Sequence, residues 1–279
     1  MLQAETHNTN DDHLEVIERE AFVDWFSAAP PETVASLGID WTCVGTGILL
    51  AVRGIPTKAY NRAQGLGIGA PVTDTELEAT IEWLRANSDP AWVIDLASGN
   101  LSGHLDDRLR ARGLFPDGGF AKFQRPAVVL QNTRPTTLSV REVGKSEASD
   151  FGNVAQTAAG LPRGYASWYS ALVGRAGWRM YVAYDGPVPA ATGSLFAKDG
   201  WGWLAMGTTL PAYRGRGAQS TIIARRVNDG IAHGLTNFST ATREPITGEG
   251  SGESEFDSYR NMLRLGFTRA YSRIHYRPA

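Results

Sequence analysis

The sequence predicts a mixed α/β fold made of two tandem units, each a mostly antiparallel, twisted sheet with flanking helices. The first observation is the length, since 279 residues exceed what one hydrophobic core usually organises. The second is the order of segments in the second half, where strand-like and helix-like stretches alternate late in the chain. The third is that two short patterns of the first half recur in the second half in the same order.

Hydrophobic periodicity and turn residues predict the elements of the second half in order. Residues 138–143 predict a first strand, and residues 146–159 predict a helix with Ser146 as its N-cap. A meander of three strands follows, and Asp199-Gly200 within it is typical of a hairpin turn. The three strands are predicted over residues 178–184, 190–197 and 201–208. The remaining elements are a helix over residues 221–234, a strand over 237–242 and a helix over 256–265.

Two repeated patterns suggest that one unit was duplicated. Each half contains a helix that ends at a glycine, Gly113 or Gly266, and then a strand that closes in Arg-Pro. Residues 67–71, Gly-Ile-Gly-Ala-Pro, also echo residues 207–211, Gly-Thr-Thr-Leu-Pro. Residues 128–135 lack periodicity and contain turn formers, so they mark the seam. The predicted organisation is a disordered tail over residues 1–12, a first unit over 13–133 and a second unit over 134–279.

Composition excludes several classes of protein. Hydrophobic residues make up 42% of the chain and charged residues 20%, as in soluble globular proteins. The net charge of -2 gives no basis for a nucleic-acid or membrane partner, and no apolar stretch is long enough to span a bilayer. The polar, acidic start differs from a signal peptide. The single cysteine, Cys43, favours a reducing, cytoplasmic location, and we expect it to be buried in a strand.

The most informative segment is residues 213–220, Tyr-Arg-Gly-Arg-Gly-Ala-Gln-Ser, which lies between a predicted strand and a predicted helix. Glycines let the backbone approach an anion, and a helix start presents unpaired N–H groups with partial positive charge. Arg214 and Arg216 can add bidentate contacts to phosphate oxygens. The segment therefore predicts a site for a phosphorylated small molecule, with an ordinary solvated turn as the alternative.

This segment resembles the loop of the GNAT acetyltransferase superfamily, Arg/Gln-x-x-Gly-x-Gly/Ala, with Arg214, Gly217 and Gln219 at the matching places. Gln219 departs from the pattern, which usually has a small residue there. A terminal helix that carries Asn261 and ends in Gly266-Phe267 is a second family feature. The resemblance covers residues 137–279 well and the first half weakly. It implies a tandem GNAT protein with a degenerate first copy and a working second copy.

The resemblance implies binding of acetyl-CoA or another acyl-CoA. The pyrophosphate would lie on the backbone N–H groups of residues 216–220, and the pantetheine arm would pair with the strand over residues 206–210. The implied cosubstrate site comprises Met206, Thr208, Thr209, Leu210, Arg214, Gly215, Arg216, Gly217, Ala218, Gln219, Ser220 and Asn261. The matching residues 71–76 of the first half are acidic and lack arginine, so we expect no CoA there. Residues 65–69, Gly-Leu-Gly-Ile-Gly, are interpreted as strand residues rather than as a nucleotide loop.

Acyl transfer to an amine needs an oxyanion donor, and a proton donor for the thiolate is favourable. The family implies that a backbone N–H of residues 206–208 is the oxyanion donor. Its usual tyrosine is replaced by Met262, so Tyr259 is the candidate acid, and packing between helix and sheet is the alternative role. Glu244 is the candidate base, or a ligand for a cationic acceptor, with a solvated loop acid as the alternative. The histidines have no metal-ligand spacing, so no metal is expected.

The acceptor is expected on the other side of the sheet from CoA. Aromatic and apolar residues of the second copy's first helices predict an aromatic or apolar amine, or else packing between the copies. They are Leu161, Pro162, Tyr165, Trp168, Tyr169 and Trp178. The predicted function is acyl transfer from CoA to a small-molecule amine by a monomer or homodimer. A CoA-binding module without catalysis, and hydrolysis or decarboxylation of an acyl-CoA, are the alternatives.

Overall fold

The computed structural model of the chain describes residues 9–100, 104–131, 135–244 and 256–279. Its helices are α1 (Thr9–Ser27), α2 (Pro31–Leu37), α3 (Asp74–Asn87), α4 (Leu105–Ala111), α5 (Ala148–Ala159), α6 (Tyr165–Ser170), α7 (Ala218–Ala232) and α8 (Asp257–Arg264). Its strands are β1 (Ile39–Val44), β2 (Gly47–Val52), β3 (Arg62–Gln64), β4 (Val93–Ala97), β5 (Leu114–Pro126), β6 (Ser139–Glu142), β7 (Trp178–Asp185), β8 (Val188–Lys198), β9 (Trp201–Thr209), β10 (Asn237–Arg243) and β11 (Thr268–Pro278).

One eleven-stranded sheet contains every strand of the described residues. The strand order is β1-β2-β3-β4-β11-β5-β10-β9-β8-β7-β6. Neighbours are antiparallel except for β3 with β4 and β9 with β10, which are parallel. This arrangement confirms the predicted mixed α/β class and the mostly antiparallel sheet of each half.

The last strands of the two halves are exchanged at the centre of the sheet. β5 follows α4 in the first half but pairs with β10 of the second half, and β11 pairs with β4 of the first half. β5 and β11 also pair with each other. Both strands end in the Arg-Pro pairs that the sequence analysis matched, so the repeated pattern marks equivalent strands. The hydrogen bonding of the sheet is therefore shared between the two halves, and the division near residue 133 stays a prediction.

Helices cover both faces of this sheet. α3 and α4 cover one face of the first half, and α7 and α8 cover the same face of the second half. α1, α5 and α6 pack on the opposite face, where their aromatic side chains form one core. α1 contacts β1 and β2 of the first half and β9 of the second. This helix therefore brings first-half side chains to the middle of the second half.

Several expectations from the sequence need correction. α1 begins at Thr9, so residues 9–12 are helical rather than part of a tail, and residues 1–8 lie outside the described residues. Ser146 does not cap α5, because a short 3-10 turn precedes the helix and Glu147 occupies the capping position. Cys43 is exposed, because it faces outward on the edge strand β1. Gly65, Gly67 and Gly69 have φ of 75°, 82° and 74°, which fits turns and excludes a strand.

No helix of the described ranges is long and apolar enough to cross a membrane.

Candidate functional site

The parallel strands β9 and β10 separate partway along their length. They share three residue pairs, from Trp201 opposite Asn237 to Trp203 opposite Ser239. Thr240 Oγ1 then donates to the carbonyl oxygen of Leu204 at 2.9 Å. Beyond this point β9 forms a bulge, with a register shift against β8 and a left-handed φ of 53° at Met206. The split leaves backbone groups of β9 without a strand partner on that side.

The loop after β9 ends in an uncapped helix start. Gly215 and Gly217 have φ of 74° and 79°, and Gly217 occupies the N-cap position of α7 without a side-chain cap. Within the described ranges, none of the backbone N–H groups of residues 215–220 donates a hydrogen bond to the protein. Alternating left-handed glycines and a free helix start form a concave surface of N–H groups that favours an anion.

A cavity of about 500 Å³ lies in front of this helix start, and we call it the loop cavity. The residues that line it come from β9, the loop, α5, α7 and α8. They are Ala158, Gly207, Thr208, Thr209, Arg214, Gly215, Gly217, Ala218, Gln219, Ser220, Asp257, Ser258, Asn261 and Arg264. Most of the cosubstrate residues predicted from the sequence are therefore brought together here; Met206, Leu210 and Arg216 do not line this cavity.

The two arginines of the loop have different surroundings. Arg214 lines the loop cavity and has no ion pair with a described residue. Arg216 points elsewhere, because its Nη1 donates to Asp185 at 2.8 Å and its Nη2 to Thr137 at 3.0 Å. Arg264, which the sequence analysis did not select, lines the cavity from α8. The sequence could have indicated Arg264 as a cavity residue, because it follows Asn261 by three residues and so lies on the same face of the helix.

Gln219 connects α7 to α8. Its Nε2 donates to Ser258 at 3.2 Å, and its Oε1 accepts a hydrogen bond from Asn261. Asn261 in turn accepts from Arg264. The longer side chain at this usually small position is thus part of a polar network along the cavity wall.

A second cavity of about 300 Å³, the inner chamber, adjoins the loop cavity and shares Gly207, Thr208, Gln219 and Ser258 with it. It is lined by both halves of the chain. The first half contributes Glu18, Phe22, Trp25, Ala59, Tyr60, Arg62 and Phe120; the second contributes Ala159, Tyr169, Trp203, Leu204, Ala205, Met206, Arg226, Thr240, Ala241 and Met262 besides the four shared residues. The sequence analysis missed the α1 residues. Phe22 and Trp25 are three positions apart, a spacing that places two aromatic side chains on one helix face.

Aromatic side chains form much of the chamber wall. Trp25 packs edge-on against Tyr60 and Tyr169, with ring centroids 5.7 Å and 5.1 Å apart. The Tyr169 hydroxyl lies 3.1 Å from that of Tyr60 and 3.2 Å from that of Tyr165. Burial raises the pKa of Tyr165 and Tyr169 well above the usual value, so both remain hydroxyls.

Of the six residues expected around the acceptor, Tyr169 alone lines the chamber. Trp168 is fully buried, and its Nε1 donates to the carbonyl oxygen of Trp25 at 2.9 Å. Trp178 donates to Asp24 at 2.8 Å. These two contacts join the second half to α1, which agrees with the alternative of packing between the copies.

A buried ionic cluster closes the chamber on the α1 side. Arg273 donates to Glu15 at 2.9 Å and to both oxygens of Glu18 at 2.9 Å, and Lys122 also contacts Glu18. Burial opposes ionisation of Glu18, yet Arg273, Lys122 and Arg62 lower its pKa far below the ordinary value. Glu18 is therefore a fixed carboxylate and a poor proton acceptor, although it lines the chamber.

The two predicted catalytic residues lie outside both cavities. Tyr259 packs edge-on against Phe123, with ring centroids 5.1 Å apart. Glu244 accepts from Ser272 at 2.6 Å and pairs with Arg269 at 2.6 Å. Neither residue lines either cavity of the described residues, so the reaction proposed below is built without them, and their catalytic roles stay predictions. Among the described side chains, no group of His, Cys, Asp and Glu could hold a metal ion.

Solved structures share this fold. A GCN5-related N-acetyltransferase from Kribbella flavida superposes with a TM-score of 0.62 at 17% identity over 94% of both chains. One from Sphaerobacter thermophilus gives 0.59 at 14% identity, over 84% of this chain and 81% of that one. A tandem GNAT protein from the clavulanic acid biosynthesis pathway gives 0.52 at 14% identity, over 77% and 74%. No protein-family model and no curated protein matches the sequence. The chain has the GCN5-related N-acetyltransferase fold in tandem.

Proposed function

We propose that the protein transfers an acetyl or other acyl group from CoA to the amine of a small molecule. The observation that carries this proposal is the run of N–H groups at residues 215–220, which have no acceptor among the described residues and open onto the loop cavity beside the inner chamber. A helix start that favours an anion and an adjoining chamber with aromatic walls suit a reaction of two substrates.

The cosubstrate would lie along the loop cavity and the split between β9 and β10. Its pyrophosphate would accept from the N–H groups of residues 216–220, with Arg214 and Arg264 supplying positive charge. Arg216 would contribute its backbone N–H, since its side chain is held by Asp185. The pantetheine arm would follow β9 from Met206 to Leu210, where the strand split leaves room.

In the proposed reaction, the amine nitrogen attacks the thioester carbonyl carbon and the carbon–sulfur bond breaks. A backbone N–H of residues 206–208 would stabilise the oxyanion, and one such donor is worth roughly 3–4 kcal/mol. The sulfur leaves with the bonding electron pair, and the nitrogen loses one proton. The amine must arrive neutral, because Glu18 is too acidic to remove its proton.

The acceptor would occupy the inner chamber with its amine near Met206. Walls formed by Phe22, Trp25 and Tyr60 favour an amine on an aromatic or apolar body. Only the second unit, residues 134–279, would bind CoA, while the first unit, residues 13–133, would supply one wall of the acceptor site. The single cysteine is consistent with function in a reducing compartment such as the cytoplasm.

Thiol release from acetyl-CoA, measured with and without a panel of aromatic and aliphatic amines, tests this function. Release that depends on an amine supports acyl transfer. Release without any amine would instead support hydrolysis. Met262 stands in the chamber where the resembling family has a tyrosine, which favours a CoA-binding module as the second candidate. Thermal stabilisation by CoA with no release under any condition would support that module.

A further inference from the structure

Arg226 is a buried cation on α7 that holds the bulge of β9. Its side chain is 2% exposed. Nη1 donates to the carbonyl oxygens of Ser194 at 2.8 Å and Ala205 at 3.0 Å. These carbonyls belong to β8 and β9 beside the register shift, so the guanidinium stabilises the bulge from behind.

Arg226 has no anionic partner among the described residues. The titratable and charged groups around it are Tyr181 on β7, and Glu18 and Arg62 elsewhere on the chamber wall. Glu18 is already bound by the cations of the ionic cluster. Burial lowers the pKa of Arg226 to about 9, which still leaves it charged at neutral pH. Burying a cation without an anion is unfavourable, so a negative charge from a ligand would be strongly stabilised there.

The guanidinium is placed beside the expected path of the cosubstrate. Arg226 lines the inner chamber, and no hydrogen bond from its Nη2 to a described residue is found. A Cβ atom placed on Gly207 would lie 3.9 Å from Nη2, so this nitrogen lies next to β9 just after the bulge. Met262 lines the same chamber and offers no proton. Of the charged side chains that line the chamber, Arg226 is thus one placed beside β9, where the thioester would break, and it has no anionic partner among the described residues.

We propose that Arg226 forms an anion subsite for the sulfur of CoA, where it stabilises the leaving thiolate by charge rather than by giving it a proton. The sulfur keeps the electron pair of the broken bond, Arg226 keeps its protons, and the proton lost by the amine passes to solvent. This inference rests on the proposed function, because it requires CoA in the loop cavity.

The test measures the pKa of the thiol of CoA bound to the full-length protein, from the ultraviolet absorbance of the thiolate during a pH titration. In the wild type, this pKa should lie at least about one unit below that of free CoA, a tenfold shift in the thiol–thiolate equilibrium. Arg226→Gln, which keeps a hydrogen-bond donor but removes the charge, should abolish the shift. Arg226→Lys should retain most of it.

Arg225→Gln is the matched control. Arg225 is the neighbouring arginine on α7 and is paired with Asp229 at 2.8 Å on the outer side of the helix. Arg225→Gln should leave the thiol pKa of bound CoA as it is in the wild type. If Arg226→Gln fails to fold, the thiol pKa measured in the wild-type complex still tests the proposal.

Two outcomes would overturn the subsite. A wild-type complex whose thiol pKa equals that of free CoA would overturn it directly. In Arg226→Gln, a thiol pKa as low as in the wild type would also overturn it. If the KM of this variant rises only for amines that carry a carboxylate, Arg226 binds the acceptor instead. Either result leaves the proposed acyl transfer intact, whereas failure of CoA to bind at all would remove the proposed function itself.

Discussion

The starts of α3 and α7 follow equivalent strands in the two halves but differ in what satisfies their N–H groups. At α3, the Thr73 side chain accepts from the Glu76 N–H at 3.2 Å, and the Glu76 carboxylate accepts from the Thr73 N–H at 2.7 Å. Asp74 adds negative charge and pairs with Arg108 and Arg112. At α7, Gly217 provides no cap and the first turn has no acid. One helix start is filled by its own side chains, and the other is left open to an anion.

The strands before these helices, β3 and β9, differ in whether they separate from the neighbouring parallel strand. All three residues of β3 pair with β4, so no split opens between them. Leu66 is 2% exposed and packs against Gly47, where an added Cβ would lie 2.6 Å from its Cδ2. β9 is longer, bulged and separated from β10. Two units of similar topology thus differ in a few side chains that leave an open helix start in one unit and fill it in the other.

Transferring the acid of α3 to α7 should have the largest effect. In Ser220→Glu, the carboxylate would occupy the position that Glu76 has in α3, where it can cap the helix start and repel phosphate. CoA affinity should fall by about 100-fold or more, as expected for a carboxylate close to a pyrophosphate. Isothermal titration calorimetry measures this change.

Ser220→Gln is the control, since it matches the size of glutamate without the charge. It should lose much less affinity than Ser220→Glu. Equal losses in both variants would mean that steric blockage, rather than charge at the helix start, explains the effect.

Replacing the two loop arginines one at a time should give the next largest effect on CoA affinity. Arg214→Ala should weaken CoA binding by about tenfold or more, because a charge-assisted contact contributes roughly 1.5–3 kcal/mol. Arg216→Ala should change the affinity by less, because Asp185 already binds its guanidinium. The same calorimetric titration compares the two variants. A larger loss of CoA affinity in Arg216→Ala would show that the side chain of Arg216, rather than that of Arg214, binds the pyrophosphate.

Removing the cap of α3 should affect stability but not binding. Thr73→Ala deletes the side-chain acceptor, and loss of such a cap costs about 1 kcal/mol of unfolding free energy. Urea unfolding measures the change, and CoA affinity serves as the internal control. A change in affinity would show that the first half also contributes to cosubstrate binding.

Tyr259→Phe should have the smallest effect. The ring contact with Phe123 survives the substitution, and the hydroxyl lies away from both cavities. The rate of thiol release should stay within about twofold, well below the 10²–10⁴-fold typical of a general acid. A drop of that larger size would restore Tyr259 as the proton donor.

Local signals in the sequence predicted much of the fold. Strand β9 and the helix after it were placed within a few residues, because alternation, Asp199-Gly200 and the Gly-Arg loop are all short-range features. The glycine predicted to end a helix in each half was also correctly placed, since Gly113 and Gly266 follow α4 and α8 and have φ of 73° and 76°. The strand exchange was not predictable, because it depends on pairing between residues more than a hundred positions apart.

The candidate site was predicted less completely for the same reason. Most residues of the loop cavity come from the contiguous segment 207–220, whereas the chamber needs α1 to meet β9. The roles of single side chains also depend on distant partners: Asp185 removes Arg216 from the cavity, and Arg269 holds Glu244 away from the chamber. Nothing local distinguishes the buried Arg226 from the exposed Arg225 beside it except helical spacing.

The central claim is that the open start of α7, and not the capped start of α3, binds CoA. Crystals of the full-length protein soaked with acetyl-CoA test it most directly. The predicted result is one CoA per chain, with its pyrophosphate on the N–H groups of residues 216–220 and its thioester beside Met206. A pyrophosphate bound at the Thr73 end of α3, or a loop cavity left empty by a cosubstrate bound elsewhere, would contradict the account.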